Sequence, residues 1–298
     1  MPRIAGVCLS LVMLSGPGIA QDAPLACAAG LAVTDLYFGE GDTVLTAPSG
    51  AQPEDGWCRA DGIHMDWTQG KWPQRISASE IRWQPRGTDT ILVEVTDIRL
   101  RLRKGAGMND LYLGGFLSNV GADLQLQSRY DAATRDLSIS PLSVALPGES
   151  RLVVSMALSD VDMGSRAGLQ TSLGSGELTM ADIDLWMDAG FGRSVMSPLI
   201  TDPEGFEDGL ADMRKLLAVL PGTVLAPDSR RAVEAVLNDL PAPKGLLSVK
   251  VRSAEGFGAS SLMPIILRGV PDTPAQWEKA LSGLTLDVVY DPTARTGN

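Results

Sequence analysis

Two pairs of carboxylates, Asp160/Asp162 and Asp182/Asp184, have the residue type and spacing to do chemistry. On a strand, a spacing of two turns both side chains to one face, where two oxygens could ligate Ca²⁺ or divide the roles of acid and base. Asp160 opens only the fragment Asp-Val-Asp-Met-Gly, and no full Asp-x-Asp-x-Asp-Gly loop surrounds either pair. Solvent-facing strand residues that discourage edge pairing look the same. Neither a metal nor a cofactor is expected, Asp160 and Asp162 being the candidates if a metal bound.

His64 is the only imidazole, so any Ser-His-Asp or Cys-His site would rest on it and its neighbour Asp66. The sequence holds neither Gly-x-Ser-x-Gly nor Ser-x-x-Lys. These residues read as structural, and the chain as non-enzymatic. Arg99, Arg101 and Arg103, followed by Lys104, make a basic stripe opposite Ile98, Leu100 and Leu102. Such a stripe can meet an anionic headgroup or a phosphate, or pair with acidic neighbours across a strand. Four of the six tryptophans, Trp57, Trp67, Trp72 and Trp83, fall within residues 21–88. Clustered aromatics can stack sugars or line an apolar cleft, or simply pack near a disulfide.

The segment that precedes these residues sets their compartment. Arg3, an apolar stretch over 4–14, the break Gly16-Pro17-Gly18 and the small residues before Gln21 read as a cleaved leader over 1–20, cut near Ala20-Gln21. The apolar stretch is too short to span a bilayer, so no transmembrane segment is expected in the mature chain. The product is placed in a periplasm or outside the cell. Cleavage removes one cation, Arg3, and none of the 36 Asp and Glu, moving the formal charge from −11 to −12. A balance this acidic argues against a nucleic-acid partner. Cys8 leaves with the leader, so Cys27 and Cys58 remain as one pair, and an oxidising compartment makes them a disulfide by default.

From Thr90 to Met187 the residues alternate apolar and polar between turn signals, the pattern of consecutive antiparallel strands with one buried face. Ile91, Val93 and Val95 share a phase that Ile98, Leu100 and Leu102 reverse, which predicts a bulge near Thr96-Asp97. A second change is predicted near Ala181. Pro141 marks a kink or an edge. In the strand around 76–83, Ile81 and Trp83 are expected opposite Ile76 and Ala78. Residues 43–56 read as a loop, flanked by strands around 31–38 and 62–68.

Helical periods begin after Gly190. Asp202-Pro203 opens a helix whose apolar face holds Phe206, Leu210, Met213, Leu217 and Leu220, and Pro221-Gly222 stops it. A second helix opens at Asp228 and ends at Pro241. Strands over 245–255 and 257–267 follow, then a short helix begun by a capping box at Thr273, and a last strand over 284–290. The fold expected is mainly β (α+β), a long curved antiparallel meander with an inserted helical pair on its apolar face. The chain divides into the leader 1–20, a disulfide-tethered Trp-rich part 21–88, the meander 89–189, the helical insertion 190–241 and the C-terminal strands and short helix 242–298. Residues 21–298 are expected to form one continuous domain.

Tyr130-Asp-Ala-Ala-Thr-Arg-Asp-Leu-Ser-Ile-Ser-Pro-Leu-Ser-Val and Leu152-Val-Val-Ser-Met-Ala-Leu-Ser-Asp-Val resemble the β-meander repeats of AsmA-like and related envelope proteins. The stretch Gly176-Glu-Leu-Thr-Met-Ala-Asp-Ile-Asp-Leu-Trp-Met-Asp-Ala-Gly is similar to the strand-to-helix passage of that group. The resemblance covers about residues 121–200 and brings no catalytic residues. It implies a long curved sheet with an apolar inner face and a role in envelope or lipid homeostasis. This chain differs in its length, its cleavable leader and its cysteine pair. The expected function is to hold an apolar or amphipathic ligand such as a lipid, with Phe206, Leu210, Met213 and Leu217 along the groove and Arg99, Arg101, Arg103 and Lys104 as its rim. The alternative is a structural module that pairs with an envelope protein through a sheet edge. A hydrolase built on Asp160 and Asp162 is a third reading.

Overall fold

A computed structural model describes residues 27, 43–48, 50–67, 75–87, 89–101, 121–146, 148–190, 203–258, 261 and 273–295. Their strands are β1 (Thr43–Thr46), β2 (Gln52–Glu54), β3 (Trp57–Trp67), β4 (Arg75–Arg86), β5 (Thr90–Arg101), β6 (Ala122–Asp131), β7 (Asp136–Ala145), β8 (Arg151–Ser159), β9 (Glu177–Met187), β10 (Gly245–Phe257) and β11 (Leu284–Asp291). Helix α1 (Arg166–Ser175) precedes β9, α2 (Pro203–Val219) and α3 (Pro227–Asp239) precede β10, and α4 (Pro274–Ala280) precedes β11. The eleven strands form one open antiparallel sheet, ordered β1-β3-β4-β5-β6-β7-β8-β9-β10-β11, with β2 also paired to β3. The sheet is mainly a meander, as the turn spacing predicts. Antiparallel neighbours need only short connections, so β3 to β9 follow one another in space as in sequence.

One apolar face runs the width of the sheet. Directly opposed residues share a face. The row Cys58, Trp83, Val93, Leu126, Leu142, Val154, Ile183, Val249, Val288 crosses nine strands, β3 to β11, without a polar residue. A second row, Ala60, Ile81, Val95, Leu124, Val144, Leu152, Leu185, Leu247, Tyr290, runs beside it. Over β3 to β8 these residues form one core cluster with Cys27 and Val161. At the other end, Leu210 and Leu217 of α2, Leu225 of the connection and Leu237 of α3 pack against Val288, with Leu247 and Val249 alongside. Thus the helical pair covers the apolar face at β10 and β11. Helix α4 adds Trp277 and Leu281 beside Leu284.

The predicted phase change near Thr96-Asp97 is present: the β5–β6 register shifts between Val95 and Ile98. Asp97 has φ 55°, and its amide donates to Asp123 Oδ1 at 2.9 Å. The change spans three strands, since Ile63 on β3, Ala78 on β4 and Ile98 on β5 all return to the apolar cluster. This corrects the expectation that Ile81 and Trp83 oppose Ala78, because both sets lie on one side. Gly62, at φ 63°, makes the matching turn on β3. The second phase change falls at Thr179 rather than Ala181, between the pairs Ala157/Met180 and Leu158/Leu178. Pro141 sits in a bulge of the central strand β7, between Ile139 and Leu142, and so marks a kink and not an edge. A bulge leaves an unpaired position where a missing N–H does no harm.

Three other local expectations change. Residues 43–56 contain β1 and β2, because pairing to β3 overrides the turn chemistry of Pro48 and Gly50. Helix α1, with little amphipathic pattern, was not expected; Ser165 Oγ caps it by accepting the Gly168 amide at 2.9 Å. Thr273 occupies the N-cap of α4 but makes no side-chain cap bond, and Pro274 at the first position starts the helix. Helix α3 starts at Pro227, with Asp228 in its first turn, where the helix dipole favours a negative charge. The expected strand over 31–38 and the leader lie outside the described residues; of the expected strand over 257–267, Phe257 closes β10, Gly258 follows it, Ser261 is helical, and the rest lies outside the described residues.

Candidate functional site

The disulfide is present: Cys27 and Cys58 are bonded, with Cα atoms 5.3 Å apart and 31 residues between them in sequence. Cys58 stands opposite Trp83 in the apolar row, so the link ties the helical residue Cys27 to the buried face.

The first carboxylate pair does not share a strand face, because β8 ends at Ser159. Asp160 has φ 56° and pairs with Arg135 at 3.1 Å, while Val161 N donates to Arg135 O and Tyr130 OH donates to Val161 O, both at 2.9 Å. Asp162 Oδ1 accepts the Gly164 amide at 2.9 Å, and its own amide donates to Ser172 Oγ at 2.6 Å. These residues fasten the β8–α1 turn to the β6–β7 turn and to α1. Asp182 and Asp184 do share the wet face of β9. There Asp182 pairs with Arg252 at 2.7 Å, and Asp184 accepts the Ser248 hydroxyl. Among the described residues, no group of three or more His, Cys, Asp or Glu side chains could hold a metal.

His64 Nε2 lies 3.6 Å from Asp66, whose two oxygens already accept Arg75 Nε and Nη2 at 2.6 and 2.9 Å. This carboxylate raises the pKa of the Arg75 guanidinium. Thr46 and Ser77 stand directly across from His64, yet neither hydroxyl bonds the ring. That arrangement clamps β3 to β4 and builds no nucleophile.

The basic stripe is only partly described. Arg99 is exposed, and its Nε donates to both oxygens of Asp97 at 2.9 Å, so its charge is already paired. Arg101 pairs backbone to backbone with Arg75, while Arg103 and Lys104 lie outside the described residues. Along α2, Leu210 and Leu217 are buried in the helix–sheet core and Phe206 packs against it. Met213, expected on the same face, is 44% exposed. The four side chains therefore do not line a shared groove. Three hold α2 to the sheet and α3, and Met213 faces solvent between the buried Leu210 and Leu217.

The tryptophans separate as well. Trp83 is in the core, whereas Trp57 lies on the opposite face with the Arg82 guanidinium 4.9 Å above its ring. Around it Arg59 reaches Glu54, Asp61 and Glu80 at 3.1, 3.0 and 2.9 Å. Hydrogen bonding from Glu54 first, then Asp61, raises the Arg59 pKa. The side chain of Trp67 and all of Trp72 lie outside the described residues.

A cleft of about 500 Å³ at the ends of β9, β10 and β11 was not expected from the sequence. Trp186, Met187 and Asp188 form one side, Lys244 and Gly245 another, Pro292 to Arg295 a third, and Glu149 closes it from the β7–β8 turn. Asp188 Oδ2 accepts the Glu149 amide, and the Asp188 amide donates to Ser150 Oγ, each at 3.0 Å. Asp291 Oδ1 accepts the amides of Thr293 and Ala294 at 2.8 and 3.2 Å and the Thr293 hydroxyl at 2.6 Å. Those bonds, the Thr293 hydroxyl foremost, hold the Asp291 carboxyl below the usual carboxylate range. Gly245, at φ 89°, passes so near that a Cβ would sit 2.1 Å from Asp291 O. The walls are therefore fixed by turns scattered over almost 150 residues, a signal that no local motif carries. Among the described residues, no helix is long and apolar enough to cross a membrane. No family model matches the chain, and no curated protein matches it.

Proposed function

We propose that this chain is an exported, non-enzymatic envelope protein that holds an apolar or amphipathic ligand such as a lipid, and so supports envelope or lipid homeostasis. The half-buried stretch of the apolar face around β8 and β9 carries this reading. The apolar row crosses nine strands; Trp83, Val93 and Leu126 are buried at one end of it, and α2, α3 and α4 cover its β10–β11 end. Between these ends Leu152, Ile183 and Leu185 are only half-buried, and they offer an acyl chain a hydrocarbon floor. The meander is also what the resemblance to AsmA-like proteins implies. Periplasmic placement after cleavage near Ala20-Gln21 draws support from the Cys27–Cys58 bond, which fits an oxidising compartment. His64, Asp160 and Asp162 each have structural partners, which favours a binding role over a catalytic one.

Native mass spectrometry and solvent extraction of the protein purified from envelopes test the proposal. Co-purifying lipid is expected, with delipidated protein regaining thermal stability when lipid is returned. Protein free of lipid and indifferent to added phospholipid would overturn it.

A second reading, pairing with an envelope protein through a sheet edge, is favoured at one edge only. The outer side of β11 is occupied by the α2–α3 connection, while no described strand pairs with the outer side of β1. Its test is a pull-down from envelope extract that a proline at Val44 abolishes.

A further inference from the structure

We propose that the cleft at the ends of β9, β10 and β11 binds an anionic saccharide, its ring laid on Trp186 and its phosphate or carboxylate held between Lys244 and Arg295. This site is independent of the apolar-face ligand. Trp186 stands across from Arg151 and Leu246, one residue out of phase with the apolar row, and so projects from the wet face. It is half-buried, which leaves ring surface for a flat apolar partner. Lys244 and Arg295 form no ion pair among the described residues, although the chain carries a formal charge of −11. Two unpaired cations beside one aromatic ring are a place for a single anionic group, bound by charge-assisted hydrogen bonds.

The opposite wall narrows the class. Glu149 makes no side-chain bond among the described residues, and its carboxylate can accept only from donors such as sugar hydroxyls. With Asp188 beside it, this wall repels a polyanion, so a nucleic acid or a nucleoside triphosphate fits badly. A ring with hydroxyls and one negative substituent satisfies all three walls. The cleft's volume falls within the range of small-molecule sites. The walls are also built in advance, through Asp188 with Glu149 and Asp291 with Thr293, so binding costs little ordering.

The test is titration calorimetry on the disulfide-intact chain with glucose 1-phosphate and glucuronate, beside glucose and inorganic phosphate. Saturable binding of the two anionic sugars is expected, with glucose and phosphate weaker by about tenfold or more. Arg295→Gln, exposed beyond the last strand and safe for folding, should weaken the sugars about tenfold, as should Lys244→Gln. Trp186→Leu should reduce glucose 1-phosphate to the affinity of inorganic phosphate. Absence of saturable binding, equal affinity for phosphate and glucose 1-phosphate, or binding unchanged in Arg295→Gln and Lys244→Gln would each overturn the proposal. Co-sedimentation with phosphatidylcholine vesicles carrying a phosphorylated-sugar glycolipid identifies a lipid headgroup as the source. Binding of the soluble sugar alone identifies a free saccharide. Co-purification of lipids without a sugar headgroup should be unchanged in these variants, so the two proposals fail separately.

Discussion

The hydroxyl of Ser229 on α3 accepts the amide of Val288 on β11 at 2.9 Å, so a helix side chain supplies the partner that a twelfth strand would otherwise supply. Two residues earlier on β11, Leu286 donates to the Val224 carbonyl at 2.7 Å. Together these bonds seal the C-terminal edge of the sheet, which in an open sheet invites pairing with another chain. Ser229→Ala should leave the Val288 amide buried and unpaired and lower unfolding free energy by about 1–3 kcal/mol. Urea denaturation checks the loss, and light scattering checks for the self-association expected once the edge is weakened.

The disulfide should contribute about 3–4 kcal/mol through the loop it closes in the unfolded chain. Denaturation with and without reductant should show that difference in the wild type and none in a Cys27→Ala/Cys58→Ala variant.

Two glycines separate strain from collision. Gly62 has φ 63° with open space around its would-be Cβ, so Gly62→Ala should cost about 1–2 kcal/mol from backbone conformation alone. Gly245→Ala adds a collision with the Asp291 carbonyl and should cost about 3 kcal/mol or more. Chemical denaturation of the two variants side by side gives the comparison, and equal losses would contradict it.

Ser128 is a third case. It lies in an apolar row between Ile91 and Ile139, 1% exposed, and its hydroxyl has no hydrogen-bond partner among the described residues. Burying an unsatisfied hydroxyl is unfavourable, so Ser128→Ala should raise stability by about 1 kcal/mol, measured as a higher urea midpoint at unchanged slope.

The pH dependence has a sign at each end. Burial, and then a 2.7 Å hydrogen bond to Asp239, push the Tyr290 phenol up to about 12. A raised pKa means its contribution is fully present below the unfolded value near 10 and is lost as pH climbs through about 12. Asp89, bonded by Arg129 at 2.6 Å, and Asp291 are depressed, so their contributions hold above the carboxylate range and fade as pH falls through the folded values. Of the four tyrosines, one should form phenolate only near pH 12 by ultraviolet titration. Tyr290→Phe should remove that late step.

The sequence alone determined the alternation from Thr90 to Met187, the helices over Pro203–Val219 and Pro227–Asp239, the bulge at Asp97 and the pairing of two cysteines. Each is written in neighbouring residues, by period, cap or count. The tertiary structure decided what depends on residues far apart. Pairing to β3 made strands of Thr43–Thr46 and Gln52–Glu54, and neighbouring bulges turned Ile63 and Ala78 back to the core. Asp160 and Asp162 became turn fasteners, and Met213 left the helix face that its period assigned to it. The cleft around Trp186 belongs wholly to this second kind. Glu149, Lys244 and Arg295 carry no shared motif and meet only because three strands end side by side.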